Sequence, residues 1–286
     1  MPSWDLLADL QLLLEYHFMQ NALLTGTLVA LLAGAIGYFV VLRGQSFAAH
    51  MLSQVGFPGA AAGVLLNTSP VLGLIVFCVI AALGIGWSRT GIDAGGRVES
   101  AAIGSILAFS LALGLLFFRL YAGSAVSIYS FLFGSILGIT DRDVAVTALT
   151  TLAGLALIAV IARPLVFASV DAAAAEARGV PVRAISFLFL VLLALSVAET
   201  VQVVGTLLVF ALLVTPGAVA QQLTSRPGLG LLLTIGFSLA FVWAGLAVAY
   251  FTLLPVGFFV TTGAFATYLS IRAVKAAAVP LLRVAS

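Results

Sequence analysis

Charge is what this chain has least of. Asp, Glu, Lys and Arg make up 8% of its 286 residues, while 63% are hydrophobic and the mean hydropathy is +1.26. Soluble domains carry roughly 25% charged and 45–50% apolar residues, so no water-exposed globule could hide this surface. Strands of an outer-membrane barrel would alternate polar and apolar residues over about ten positions, and the runs here lack that alternation. Lysine occurs once, as Lys275 in "IRAVKAA", without the glycine arm of a phosphate-cradling G-x-x-x-x-G-K-[ST] loop. The two histidines, His17 and His50, are not at ligand spacing, so no H-E-x-x-H metalloprotease helix exists. A single cysteine, Cys78, permits no intrachain disulfide. Carboxylates are nearly missing from the apolar runs, against a carrier with an Asp/Glu proton relay; Glu199 is the exception. Twelve scattered cations make no basic patch, so nucleic acid is not expected as a partner.

What is present is a series of long apolar runs. A bilayer crossing takes roughly 20 apolar residues as a helix. The runs and their Gly, Pro and Arg punctuation predict spans at 18–42, 47–66, 70–88, 98–118, 144–166, 184–201, 203–223, 229–250 and 256–273. The run 124–138 is short and reads as a shallow outer-face helix. The expected fold is therefore an all-α polytopic membrane protein, residues 1–286 forming one transmembrane domain with about nine spans in the lipid bilayer. The boundary near Gly205 is the weakest, with a further break at Pro216-Gly217. With the N-terminus outside, ten of the twelve cations fall on the cytoplasmic side, leaving Arg119 and Arg142 outside. That asymmetry places residues 1–17, acidic and free of Lys and Arg, as an extracytoplasmic lead-in rather than a cleaved leader. It places 274–286 as a cytoplasmic tail.

Polar residues gather in two places along this oil. In "VVLRGQSFAAHMLSQVGFPGA", Ser46, His50, Ser53 and Gln54 fall at helical spacing on one side of a predicted helix. In the cytoplasmic loop 167–183, "FASVDAAAAEARGVPVR", Asp171 can cap a helix that four alanines propagate, with Arg178 in its last turn and Gly179 as a left-handed stop. A helix of two turns does not hold its shape alone in water. It is either a connector lying on the membrane surface or a docking element seated in another protein.

These motifs resemble the permease subunits of the ABC-3 family, bacterial ABC importers for manganese, zinc and iron. The family's first motif, an arginine followed by F-x-x-D-x-x-x-S-H, is matched by Arg43, Phe47, Leu52, Ser53, Pro58 and Gly59. Its D-P-E-x-A-x-x-x-G coupling helix resembles Asp171, Ala175 and Gly179. Its q-V-G-T-L-L-V-x-A-L-L-x-x-P-A stretch resembles "QVVGTLLVFALLVTPGA", Gln202 to Ala218, and "YSFLFGSILGIT" resembles a further family segment. The resemblance spans about residues 20 to 273. It implies a type II importer-like permease in the bacterial inner membrane, pairing with a second permease copy. It implies an ABC ATPase subunit on the coupling helix, with ATP and magnesium bound there rather than on this chain, and an extracytoplasmic substrate-binding protein.

The match breaks where the substrate would pass. The family's aspartate and histidine positions are His50 and Gln54 here, a pair that keeps the one-turn spacing but carries no negative charge. A metal role for His50, the translocation path (Ser46, His50, Ser53, Gln54) and a plain helix-packing role stay open together. Glu199 and Gln202, one turn apart, are either interfacial and solvated or a second polar station that restores the missing charge. A metal chelate or another small solute, and an ATP-independent channel or carrier, are the alternatives to a free divalent ion.

Overall fold

The computed structural model describes residues 16–88, 97–120, 139–206, 209–252 and 254–284. Among these, every regular element is an α-helix. In chain order they are α1 His17–Leu42, α2 Ser46–Leu65, α3 Pro70–Ser88, α4 Arg97–Leu120, α5 Asp141–Val170, α6 Ala172–Ala177, α7 Val182–Val204, α8 Val209–Leu213, α9 Thr215–Leu223, α10 Pro227–Thr252 and α11 Val256–Val284.

Five of them are long and apolar enough to cross a membrane: α1, α3, α5, α7 and α10. Burial sorts these five into layers. In α1 and α7, 72% and 67% of the apolar window is buried, whereas α3, α5 and α10 stand at 28%, 28% and 33%. The first two are therefore the inner wall and the other three face outward. The outward face of α3 is Leu72, Val76, Ile80, Leu83 and Trp87, all exposed and at helical spacing. Such a stripe suits hydrocarbon and would be expensive in water.

Contacts fix the direction of each helix. Asn21 meets Asp141 at one end of the α1–α5 pair, and Arg43 meets Ser169 at the other, so these helices run parallel. Arg43 also meets Ser186, so α7 begins where α5 ends and returns antiparallel. Phe77 meets Phe117 and a Cβ on Gly84 would meet Ile106, so α4 runs antiparallel to α3; a Cβ on Gly86 would meet Phe187, so α3 ends where α7 begins. Thus α4 ends and α5 begins at the same end of the bundle. Residues 124–138 themselves lie outside the described residues, as do 1–15 of the lead-in. Arg43, the α6 loop, Arg226 in the α9–α10 turn, and Lys275 on Gln222 O of α9 all gather at the opposite end.

The expected span 203–223 is corrected. The chain stays helical through Val204, stops at Gly205 with φ +84°, and resumes as two pieces of five and nine residues broken at Val214. Pro216 explains the second restart, because its missing N–H and fixed φ suit the first turn of α9. At 1.5 Å per residue the pieces are about 7 and 13 Å long, short of a roughly 30 Å core. Broken backbone at this depth survives only when covered by protein. The cover is α1: a Cβ on Gly37 would lie 2.0 Å from Leu213 O, so the two backbones touch with no side chain between them.

Candidate functional site

The turn joining α1 to α2 places the first polar face. Leu42 ends α1, Gly44 takes φ +65°, and the Gly44 and Gln45 N–H groups donate to Val41 O and Val40 O at 3.1 and 2.8 Å. That left-handed stop turns the chain within three residues. From there Ser46, His50 and Gln54 share a half-buried face of α2, continued by Phe57 and Ala61; apart from exposed Phe47 and the half-buried last turn, the rest of the helix is covered. The His50 ring stands edge-on to Phe210 of α8, with centroids 5.9 Å apart. Ser53 leaves this face: it is fully buried, and its hydroxyl donates to His50 O at 2.7 Å. The polar groups of this half-buried face are therefore hydroxyl, imidazole and amide, without a carboxylate. Among the described residues no three His, Cys, Asp or Glu side chains converge as a metal cage.

Glu199 sits elsewhere. It is 1% exposed, which removes the solvated interfacial alternative. Its Oε1 accepts from Thr150 Oγ1 of α5 at 2.9 Å, Thr147 lies beside the same carboxylate, and Oε2 has no protein partner. Glu199 thus faces α5, whereas His50 faces α8. The structure does not join them into one cluster. Gln202 lies within α7, but its side chain is outside the described residues. The threonines opposite Glu199 went unnoticed in the sequence, although "TALTTLAG" is an unusual hydroxyl cluster in an apolar run.

The loop after α5 folds as its residues dictate. Asp171 Oδ1 accepts from Ala174 N at 2.9 Å and starts α6. Arg178 is the C-cap rather than a residue of the last turn, and its guanidinium lies 5.8 Å over the Phe167 ring. Gly179, at φ +80°, closes the helix, with Val180 N donating to Ala175 O at 3.0 Å. Ala175 is wholly buried, while Asp171, Ala172, Ala173, Glu176, Ala177 and Arg178 are exposed. The helix is held from below by one alanine and offers its other sides outward. At the opposite end His17 Nε2 meets Asp141 Oδ1 at 2.9 Å, an exposed pair also touched by Asn21.

The model of the ABC 3 transport family matches residues 15–275. The chain belongs to the ABC 3 transport family. It is 34% identical over 235 residues to the manganese transport system membrane protein MntC of Halalkalibacterium halodurans, covering 82% of this chain and 79% of the relative. It is 36% identical over 207 residues to the manganese import system permease protein ScaB of Streptococcus parasanguinis, covering 72% of each. Its fold matches a chain of PsaBC from Streptococcus pneumoniae, solved in complex with Fab, with TM-score 0.82 and 32% identity over 92% of this chain and 94% of that one. As an ABC 3 family member it is a multi-pass membrane transport subunit, in keeping with its lipid-facing stripes and its two polar stations.

Proposed function

We propose that this chain is the permease of an ATP-driven importer of a divalent metal ion of the manganese class. The observation that carries this reading is the match, along most of both chains, to permeases of manganese transport systems. The geometry supports it. With the broken α8–α9 element counted once, we read nine passes in one transmembrane domain, with the N-terminus outside and the C-terminus inside. The end that gathers Arg43, Arg226 and Lys275 then faces the cytoplasm, where cations are retained. On that side α6, seated on the bundle through buried Ala175, offers Asp171, Arg178 and Gly179 outward as a docking helix for a separate ATPase subunit.

Ser46, His50 and Gln54 line the path, near its cytoplasmic exit. Their donors are neutral, so they ligate a dication through imidazole nitrogen and amide oxygen and leave its charge largely to water. A second permease copy facing this surface doubles the donors. An extracytoplasmic binding protein delivers the ion at the end marked by His17 and Asp141. One observation favours a second reading: a face with no carboxylate also suits a metal chelate that brings its own negative ligands.

The test is His50→Ala in the reconstituted permease–ATPase–binding-protein complex. Manganese uptake driven by ATP should fall at least tenfold while the complex still assembles. Uptake at the parental rate would refute the path. Uptake of chelate but not of free ion by the parental complex would select the second reading.

A further inference from the structure

Arg43 is a motif residue that the path and the docking helix leave unused. It caps α1 at the cytoplasmic end, where the chain turns into α2 within three residues. Its side chain does not point into solvent. One guanidinium nitrogen donates to Ser169 Oγ at 3.3 Å and another to Ser186 Oγ at 2.7 Å. The same group lies 5.5 Å above the Phe189 ring, which is wholly buried and meets Phe39 edge-on at 6.3 Å.

The places of these partners matter more than their number. Ser169 stands two residues before Asp171, on the stem leading into α6. Ser186 stands one turn into α7, on the stem leading out of it. A single planar cation therefore ties both stems of the docking helix to the start of the three-residue turn that enters the helix carrying His50. Arginine suits this task because its fixed fork can reach two acceptors while its face stacks on an aromatic ring. The Gly44 turn allows little slack between Arg43 and Ser46, since its two N–H groups are both bonded back to α1.

We infer that Arg43 is the positioning residue that transmits displacement of α6 to α2, and so links the ATPase stroke to the polar face. This rests on the permease reading above. Arg43 touches no substrate in this account; it acts through the helices it joins. Cutting the strut should leave both machines running and disconnect them.

The experiment uses the reconstituted complex and three forms of the permease: parental, Arg43→Ala, and Ser169→Ala with Ser186→Ala. Three quantities are read: ATPase retained on purification, ATP hydrolysed, and manganese ions taken up. For Arg43→Ala, assembly and hydrolysis should stay within about twofold of parental. ATP consumed per ion should rise about tenfold or more. The double serine variant keeps the cation and its ring contact, and should show a smaller rise of the same kind. Should Arg43→Ala fail to assemble, the serine variant decides by the same ratio. An unchanged ratio, with hydrolysis and uptake falling together, would overturn the inference.

A second readout separates this inference from the importer reading. Spin labels at Ala173 of α6 and Phe47 of α2, both exposed, are followed in the permease–ATPase complex on adding ATP. In the parental protein both label environments should change; in the strut variants only that at Ala173. Independent motion in the parental protein would refute the strut. A parental complex that moves no metal counts against the importer reading, while the label result still decides the strut.

Discussion

Replacing Gly37 by alanine adds one methyl group at the tightest place in the bundle. The new Cβ would stand 2.0 Å from Leu213 O and 3.1 Å from Leu213 C. A contact of even 3.0 Å therefore requires α1 and the α8–α9 junction to separate by about 1 Å. The clashing atom is backbone, so no side chain can swing aside. Overpacking of this kind costs about 1–3 kcal/mol, a factor of roughly 5 to 150 in the folding equilibrium. The junction also carries Phe210, which faces His50, so uptake should fall as well. Gly236 of α10 is the matched control, with nothing within 4 Å of its virtual Cβ. Gly236→Ala should be neutral or stabilising by up to about 1 kcal/mol, from helix propensity alone. Unfolding of the purified permease, followed by circular dichroism against added denaturing detergent, reads both variants. If Gly37→Ala unfolds at the same point as Gly236→Ala, the backbone contact between α1 and the broken element is not there.

Other outcomes follow from single contacts. Asp171→Ala removes the cap that holds Ala174 N, a loss of about 0.5–2 kcal/mol to a helix of only six residues. It should weaken capture of the ATPase in a binding titration by several-fold and leave the unfolding midpoint of the membrane bundle unchanged. Glu199→Gln keeps an acceptor for Thr150 and replaces an Oε2 that has no protein partner. Its stability should stay within about 1 kcal/mol of parental, and uptake within about twofold. A tenfold loss of uptake in that variant would put Glu199 on the path after all. Breaking the exposed His17–Asp141 pair with His17→Ala should alter stability little at high salt, because such pairs are screened. A large loss in a thermal melt would show that the first turns of α1 and α5 depend on it.

Features built from neighbouring residues were legible in the sequence. Expected boundaries such as 70–88 came within a residue or two because Pro70, Pro227 and the Arg43-Gly44 turn act locally. The short helix at Ala172–Ala177 was readable from Asp171 and Gly179 for the same reason. Helix α5 outruns its expected 144–166 because Thr140 and Asp143 cap each other ahead of the apolar run. Features that depend on distant partners were not legible. Nothing near Glu199 in sequence reveals Thr150, 49 residues away, so its depth stayed open. Ser53 fits the helical spacing of the polar face, yet a helical wheel cannot say which neighbour covers its edge. Arg43 reads as a membrane-edge cation; its partners lie 126 and 143 residues further on. The break at Val214 was half visible in Pro216, while the surface that covers it, Gly37, belongs to another helix.

The central claim is that metal crosses this bundle because a separate ATPase works against it. The most direct measurement is manganese entry into liposomes holding the permease and its ATPase, with binding protein outside and ATP inside. The account predicts accumulation against a gradient with ATP, and none with a non-hydrolysable analogue or when α6 cannot hold the ATPase. Equal entry in the absence of ATP would contradict it.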